Sequence, residues 1–193
     1  MILKFRQISR VLAFTLLILA VSMVLPVVTA LIYGETDCLP PFLGSMALLL
    51  AVPAVILKKI KPVSTDLRIR DGYFTVAMCW LLIPLASSLP YLLSGAIPGF
   101  ADAFFECASG FTTTGASILT DVESLPKCML LWRSFGHWLG GMGILVFTIA
   151  LLPSLGIGGL TIVRAESTGP TLDKLTPKLS DSAKILYVMY FGM

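Results

Sequence analysis

The sequence predicts an all-α integral membrane protein: two N-terminal transmembrane helices, then a unit of transmembrane helix, half-length re-entrant helix and transmembrane helix. Three observations lead there. Of 193 residues, 56% are hydrophobic and 13% charged, far outside the soluble norm. Four apolar segments each approach the ~20 residues needed to cross ~30 Å of hydrocarbon. Between the third and fourth lies an amphipathic run of roughly a dozen residues, which at 1.5 Å each reaches only about half way across.

The first segment, Val11 to Tyr33, contains Pro26 and follows the basic start "MILKFRQISR". It is too long for the apolar region of a signal peptide and lacks a clear small-residue cleavage site, so it is read as a retained helix. Leu39 to Leu57, Tyr73 to Leu93 and Met129 to Leu152 are the second, third and fourth segments, and a further apolar stretch begins near Ala183. Lys4, Arg6 and Arg10 precede the first; Lys58, Lys59, Lys61, Arg68 and Arg70 follow the second; Arg164, Lys174, Lys178 and Lys184 follow the fourth. If the segments alternate in direction, these lie on one side and only Lys127 and Arg133 on the other. The positive-inside rule then places the N-terminus in the cytoplasm. Glu35, Asp37, Asp102, Glu106, Asp121 and Glu123 face outward, either as solvated loop residues or as a weakly acidic vestibule that concentrates cations.

The half-length run sits in the outward connection "SGAIPGFADAFFECASGFTTTGASILTDVESLPKC". Pro98 suits a helix start, Ala101, Phe104, Phe105 and Ala108 recur at helical spacing, and Gly110 ends the run. Such a helix enters the bilayer and must turn back. Irregular backbone at that depth is tolerated only when buried in protein or lining a water-filled cavity. An extended Thr112-Thr113-Thr114-Gly115 segment can aim successive carbonyl oxygens at one axis, Gly115 taking backbone angles a side chain forbids. Carbonyls so arranged replace the hydration shell of a potassium ion, with the carbonyl end of the short helix favouring a cation. The threonine hydroxyls either add an oxygen site or bond to neighbouring backbone. A purely structural re-entrant turn is the alternative for the whole segment.

"ASGFTTTGAS", then "WRSFGHWLGGMGILVFTIALLPSLGIGGL" and "RAESTGPTLDKLTPKL", resemble the membrane subunit of the Trk-type potassium uptake systems, within the Trk/Ktr/HKT superfamily. The resemblance covers essentially the whole chain, including two helices ahead of the pore repeats. It implies a four-repeat, potassium-channel-like fold in which each helix, pore helix, helix unit supplies one filter strand with a key glycine. The filter strand here is Thr112, Thr113, Thr114 and Gly115, and the only metal implied is potassium, as transported substrate, bound through those four residues. On this basis residues 1–71 form the N-terminal two-helix region and cytoplasmic loop, 72–152 the first pore repeat, and 153–193 a cytoplasmic connection and the truncated start of a second repeat. One filter motif where the family has four makes this the N-terminal part of a Trk-type transporter, expected to be inactive alone. The resemblance further implies the bacterial cytoplasmic (inner) membrane, a homodimer when full length, and a cytosolic TrkA-type nucleotide-binding regulatory subunit. Arg164 and Glu166 are then candidates for an inner-face contact with that partner or for a helix-anchoring salt bridge.

The remaining residues narrow the function class. No Walker A motif or GxGxxG is present, so ATP or NAD would be bound by the partner and no cofactor is expected in this chain. The basic residues are dispersed, which does not suit nucleic acid. Cys38, Cys79, Cys107 and Cys128 form no CxxC pair and have His137 as their sole histidine companion, so neither a zinc site nor a disulfide framework is indicated. Arg133 and His137 share a face of the fourth helix. Arg133 is expected as an interfacial anchor, snorkelling outward beside Trp132 and Trp138. Gly136 and Gly140 have the spacing that permits close helix approach, for packing or for gating. An enzyme reading, a membrane-embedded site using His137 with Glu106 or Cys107, lacks a nucleophile, base and orienting group evident together.

Overall fold

The computed structural model describes residues 5–60, 69–151, 188–190 and 192. Helices are α1 (Phe5–Ser22), α2 (Val24–Tyr33), α3 (Leu39–Lys59), α4 (Ile69–Ser87), α5 (Leu89–Ser94), α6 (Phe100–Phe111) and α7 (Lys127–Leu151). The chain divides into two compact units, Met1–Trp138 and Leu139–Met193. In the second, Gly141 lies against the Tyr190 hydroxyl.

Three helical stretches among the described residues are long and apolar enough to cross a membrane: Phe5–Tyr33, Thr36–Lys59 and Asp71–Ser94. They correspond to the first three expected segments. Two of them are interrupted where proline chemistry predicts. Pro26 has no N–H to donate back to residue 22, and α1 gives way to α2 at Met23. Pro90 has the same effect at the boundary of α4 and α5. The fourth expected segment is one continuous helix of 25 residues, α7.

In the first unit α3 packs against α1, α2 and α5, α1 packs against α4, and α4 against α6. Outward-facing positions are apolar: Ile18, Leu31 and Ile32 are exposed, as suits helices surrounded by lipid. The inward side holds an aromatic anchor. Trp132 of α7 is fully buried, meets Phe42 of α3 edge-on at 6.2 Å and 84°, and donates its indole N–H to the Ser87 carbonyl at 3.1 Å. Buried Tyr91 donates to the Met129 carbonyl at 3.4 Å. Trp132 is therefore not the interfacial belt residue its sequence position suggests; its polar atom is satisfied inside the bundle, so burial of the ring costs no lost hydrogen bond.

The start of α7 is held from the opposite end of the sequence. Glu35, in the link after α2, accepts from the Lys127 N–H at 2.6 Å and the Cys128 N–H at 2.9 Å. These are two of the four backbone donors a helix start leaves unsatisfied. Partial burial raises the affinity of the Glu35 carboxylate for a proton, but the Cys128 and Lys127 bonds and the Lys127 charge outweigh it and hold the carboxyl below its ordinary value.

Candidate functional site

The half-length helix is present as α6, 12 residues long, which rises about 18 Å. Ala103, Cys107 and Phe111 are buried, the i, i+4, i+8 stripe of an amphipathic helix. Two glycines let it stand close to α7. A methyl group on Gly136 would sit 3.3 Å from the Phe111 ring, and one on Gly110 3.4 Å from the His137 imidazole. Gly136 thus has the close-approach role its spacing predicts.

How α6 ends determines the loop. Thr113 donates its N–H to Gly110 O at 3.0 Å and Thr114 to Ser109 O at 3.0 Å, the paired bonds of a Schellman closure. That closure requires a left-handed residue at its centre, and the residue there is Thr113, with φ 57°. A β-branched residue at positive φ is a true outlier, with a strain of about 1–3 kcal/mol. Gly115 follows at φ 76°, where it has no such penalty. The expected extended run therefore does not begin at Thr112: Thr112 and Thr113 continue the turn off the helix, and open backbone starts at Thr114.

One consequence is an asymmetry between donors and acceptors. The N–H groups of Thr112, Thr113, Thr114 and Gly115 all turn back to carbonyls of Ala108, Ser109 or Gly110. Among the described residues no hydrogen bond is made to the carbonyl oxygens of those same four residues, all of which are exposed. The Thr112 hydroxyl donates to Ala108 O at 2.7 Å and meets the Thr114 hydroxyl at 2.8 Å. Of the two uses open to these side chains, Thr112 takes the backbone bond.

The chain leaving the loop is bound to one face of α6. Ser109 donates to Ala116 O at 2.6 Å. Three positions earlier on the same face, the Glu106 carboxylate accepts from the Ser117 hydroxyl at 3.0 Å and the Ile118 N–H at 3.1 Å. Its Oε1 also receives Arg133 Nε of α7 at 2.7 Å. One buried carboxylate, 2% exposed, thus joins α6, the chain segment after the loop, and α7.

This corrects two expectations. Glu106 is not an outward solvated acid: its side chain is 1% exposed, and Arg133, whose side chain is 19% exposed, turns its Nε to that carboxylate instead of standing free at the interface. His137 directs Nδ1 to the Arg133 carbonyl at 2.9 Å and lies beside Gly110. It is not assembled with Glu106 and Cys107 as an acid–base group, and nothing favours the enzyme reading. Arg164 and Glu166 lie outside the described residues. Sequence reasoning missed Ser117, Ile118 and the Glu106–Arg133 pair. The available signal was two ionisable residues in adjacent apolar helices, which at membrane depth have to find each other.

A family model described as TrkH, cation transport protein, matches residues 40–193. The chain is 38% identical to the Trk system potassium uptake protein TrkH of Vibrio parahaemolyticus over 98% of its length. It is 35% identical to the TrkH and TrkG proteins of Escherichia coli K12 over 96%. The crystal structure of the potassium transporter TrkH from V. parahaemolyticus superposes with a TM-score of 0.81 at 34% identity, covering 98% of this chain and 37% of that one. The chain spans 38–39% of the length of these curated relatives.

Proposed function

The chain belongs to the TrkH family of cation transport proteins, and from that premise we propose that it is the N-terminal part of a potassium uptake transporter. In this reading α6 is a re-entrant pore helix and Thr112, Thr113, Thr114 and Gly115 form one strand of the selectivity filter in a four-repeat fold. The observation that carries the reading is the backbone asymmetry of the loop: four consecutive exposed residues commit their N–H groups to α6, while among the described residues their carbonyl oxygens accept no hydrogen bond. Oxygens in that state can take the place of water around a dehydrated cation. The mechanism is partial dehydration into a carbonyl-lined site and movement down the electrochemical gradient. Ser109 and Glu106 bind the far side of the loop and hold its shape without contacting the ion.

The same reading places the protein in the bacterial inner membrane with a cytoplasmic N-terminus, as a homodimer when complete, and with a TrkA-type cytosolic subunit docking near Arg164 and Glu166. α7 completes the first pore repeat as its second transmembrane helix. One strand cannot surround an ion, so residues 1–193 alone should conduct no potassium; flux from the purified chain in liposomes would overturn this.

Gly115→Ser in the full-length transporter is the principal test. Among the described residues nothing lies within 4 Å of a methyl group added at the Gly115 Cα, so within this segment the substitution acts through φ. Forcing a side chain to φ 76° costs about 1–2 kcal/mol, enough for roughly tenfold. Potassium uptake by an uptake-deficient cell should fall by about that factor or more, with loss of discrimination against sodium. Unchanged uptake and selectivity would remove Gly115 from the filter.

A further inference from the structure

We propose that Glu35, Cys38 and Cys128 form a zinc site that cross-links the α2–α3 turn to the start of α7. The potential ligand atoms of these residues all lie within 4.8 Å of one another. They come from three separate elements: the link after α2, the short 3-10 turn Thr36–Cys38, and the first turn of α7. Both thiols are free and buried, Cys38 at 6% and Cys128 at 0% exposure, while Glu35 is half-buried. The fold thus joins residues 93 positions apart, which is why the absence of a CxxC pair in the sequence gave no sign of it.

The donor set selects the ion. Two sulfurs exclude the hard cations magnesium, calcium and potassium and favour zinc. Zn–S bonds of about 2.3 Å and a Zn–O bond of about 2.1 Å need only a small contraction from the present separations. Glu35 is already oriented to act as a ligand, because each carboxylate oxygen takes one backbone N–H of α7. Such bonds fix a metal-ligating carboxylate and leave further lone pairs on both oxygens. Three protein ligands leave a fourth position for water. Binding is a proton exchange without redox change: Zn²⁺ displaces the protons of the two thiols, which go to solvent, and two Zn–S bonds form.

The test uses the whole 193-residue chain purified in detergent under reducing conditions. Titration with Cd²⁺ alone should raise a thiolate-to-cadmium ultraviolet band that saturates at one ion per chain, and Zn²⁺ should abolish it by competition. Cys38→Ser and Cys128→Ser should each remove the band, Glu35→Gln should weaken cadmium binding about tenfold, and Cys79→Ser should leave it intact. X-ray absorption of the zinc-loaded wild-type chain, which requires no variant to fold, should report two sulfur neighbours. A band that survives both cysteine variants, the absence of any cadmium band in the fully reduced wild-type chain, or a zinc shell of oxygen and nitrogen alone would each overturn the site.

Discussion

Two loops in the first unit are each closed by a carboxylate, and they differ in what surrounds it. Glu35 is half-buried and accepts two backbone N–H groups at the start of α7 and the Cys128 thiol. Glu106 is buried, and it combines a hydroxyl, a backbone N–H and the Arg133 guanidinium. Water can replace the partners of the first; the second carboxylate is itself enclosed, at 2% exposure, although Ser117 and Ile118 around it are exposed. The difference teaches where the molecule tolerates change. The turn after α2 is secured by a cap of ordinary strength, whereas the loop whose carbonyls accept no hydrogen bond among the described residues rests on a charge pair that fails if either half is removed.

Arg133→Ala provides the largest test of that contrast. It leaves an uncompensated carboxylate at a site 2% exposed, and breaking a buried pair from one side costs about 3–5 kcal/mol. Unfolding of the full-length protein in mixed micelles should shift accordingly. Glu106→Gln in the Arg133→Ala background should recover a large part of the loss, because the buried charge is then gone. A double variant no better than the single one would show that packing around Arg133, not charge, is what matters.

The strained turn gives a smaller effect of opposite sign. At Thr113 the left-handed conformation costs about 1–2 kcal/mol, and a glycine there would forfeit about 0.5–1 kcal/mol in unfolded-chain entropy. Thr113→Gly should therefore stabilise the fold by roughly 0.5 kcal/mol, while relaxing the geometry that orients the neighbouring carbonyls. The expected pattern is a raised unfolding midpoint together with lower potassium-over-sodium discrimination. If discrimination is unchanged, the strain has no bearing on the loop's ion chemistry.

Legibility of these features in the sequence followed their range. The apolar segments, the half-length of α6 and the special backbone of Gly115 are local properties, set by composition, periodicity and a single glycine, and all three were readable. Thr113 was not, because no propensity assigns a threonine to positive φ; the Schellman closure and the bonds that hold the returning chain impose it. Arg133 and Trp132 looked like interfacial residues because both types favour that zone. Their actual partners, Glu106 and Ser87, lie 27 and 45 positions away, and only the placement of α6 and the end of α4 beside α7 brings them together. The prolines were visible as letters, but their effect depended on neighbours: Pro53 lies within an unbroken α3, while Pro26 accompanies a break.

Glu35→Gln should produce the smallest change, provided metal is first removed with a chelator. Glutamine keeps one carbonyl oxygen for an α7 N–H but loses the charge that favours a helix start, a loss of about 0.3–1 kcal/mol. Exposure and salt screen that contribution further. The unfolding midpoint should drop by an amount near the lower end of this range at low ionic strength and by less in high salt, while the Arg133→Ala penalty should persist in both. The salt dependence is what separates the two carboxylates: a screened cap at the first residues of α7, and an ion pair on a buried carboxylate less than two turns further along the same helix. If Glu35→Gln proved as costly as Arg133→Ala, or equally indifferent to salt, Glu35 would have to be carrying a buried charge interaction of its own, and the contrast between the two loops would collapse.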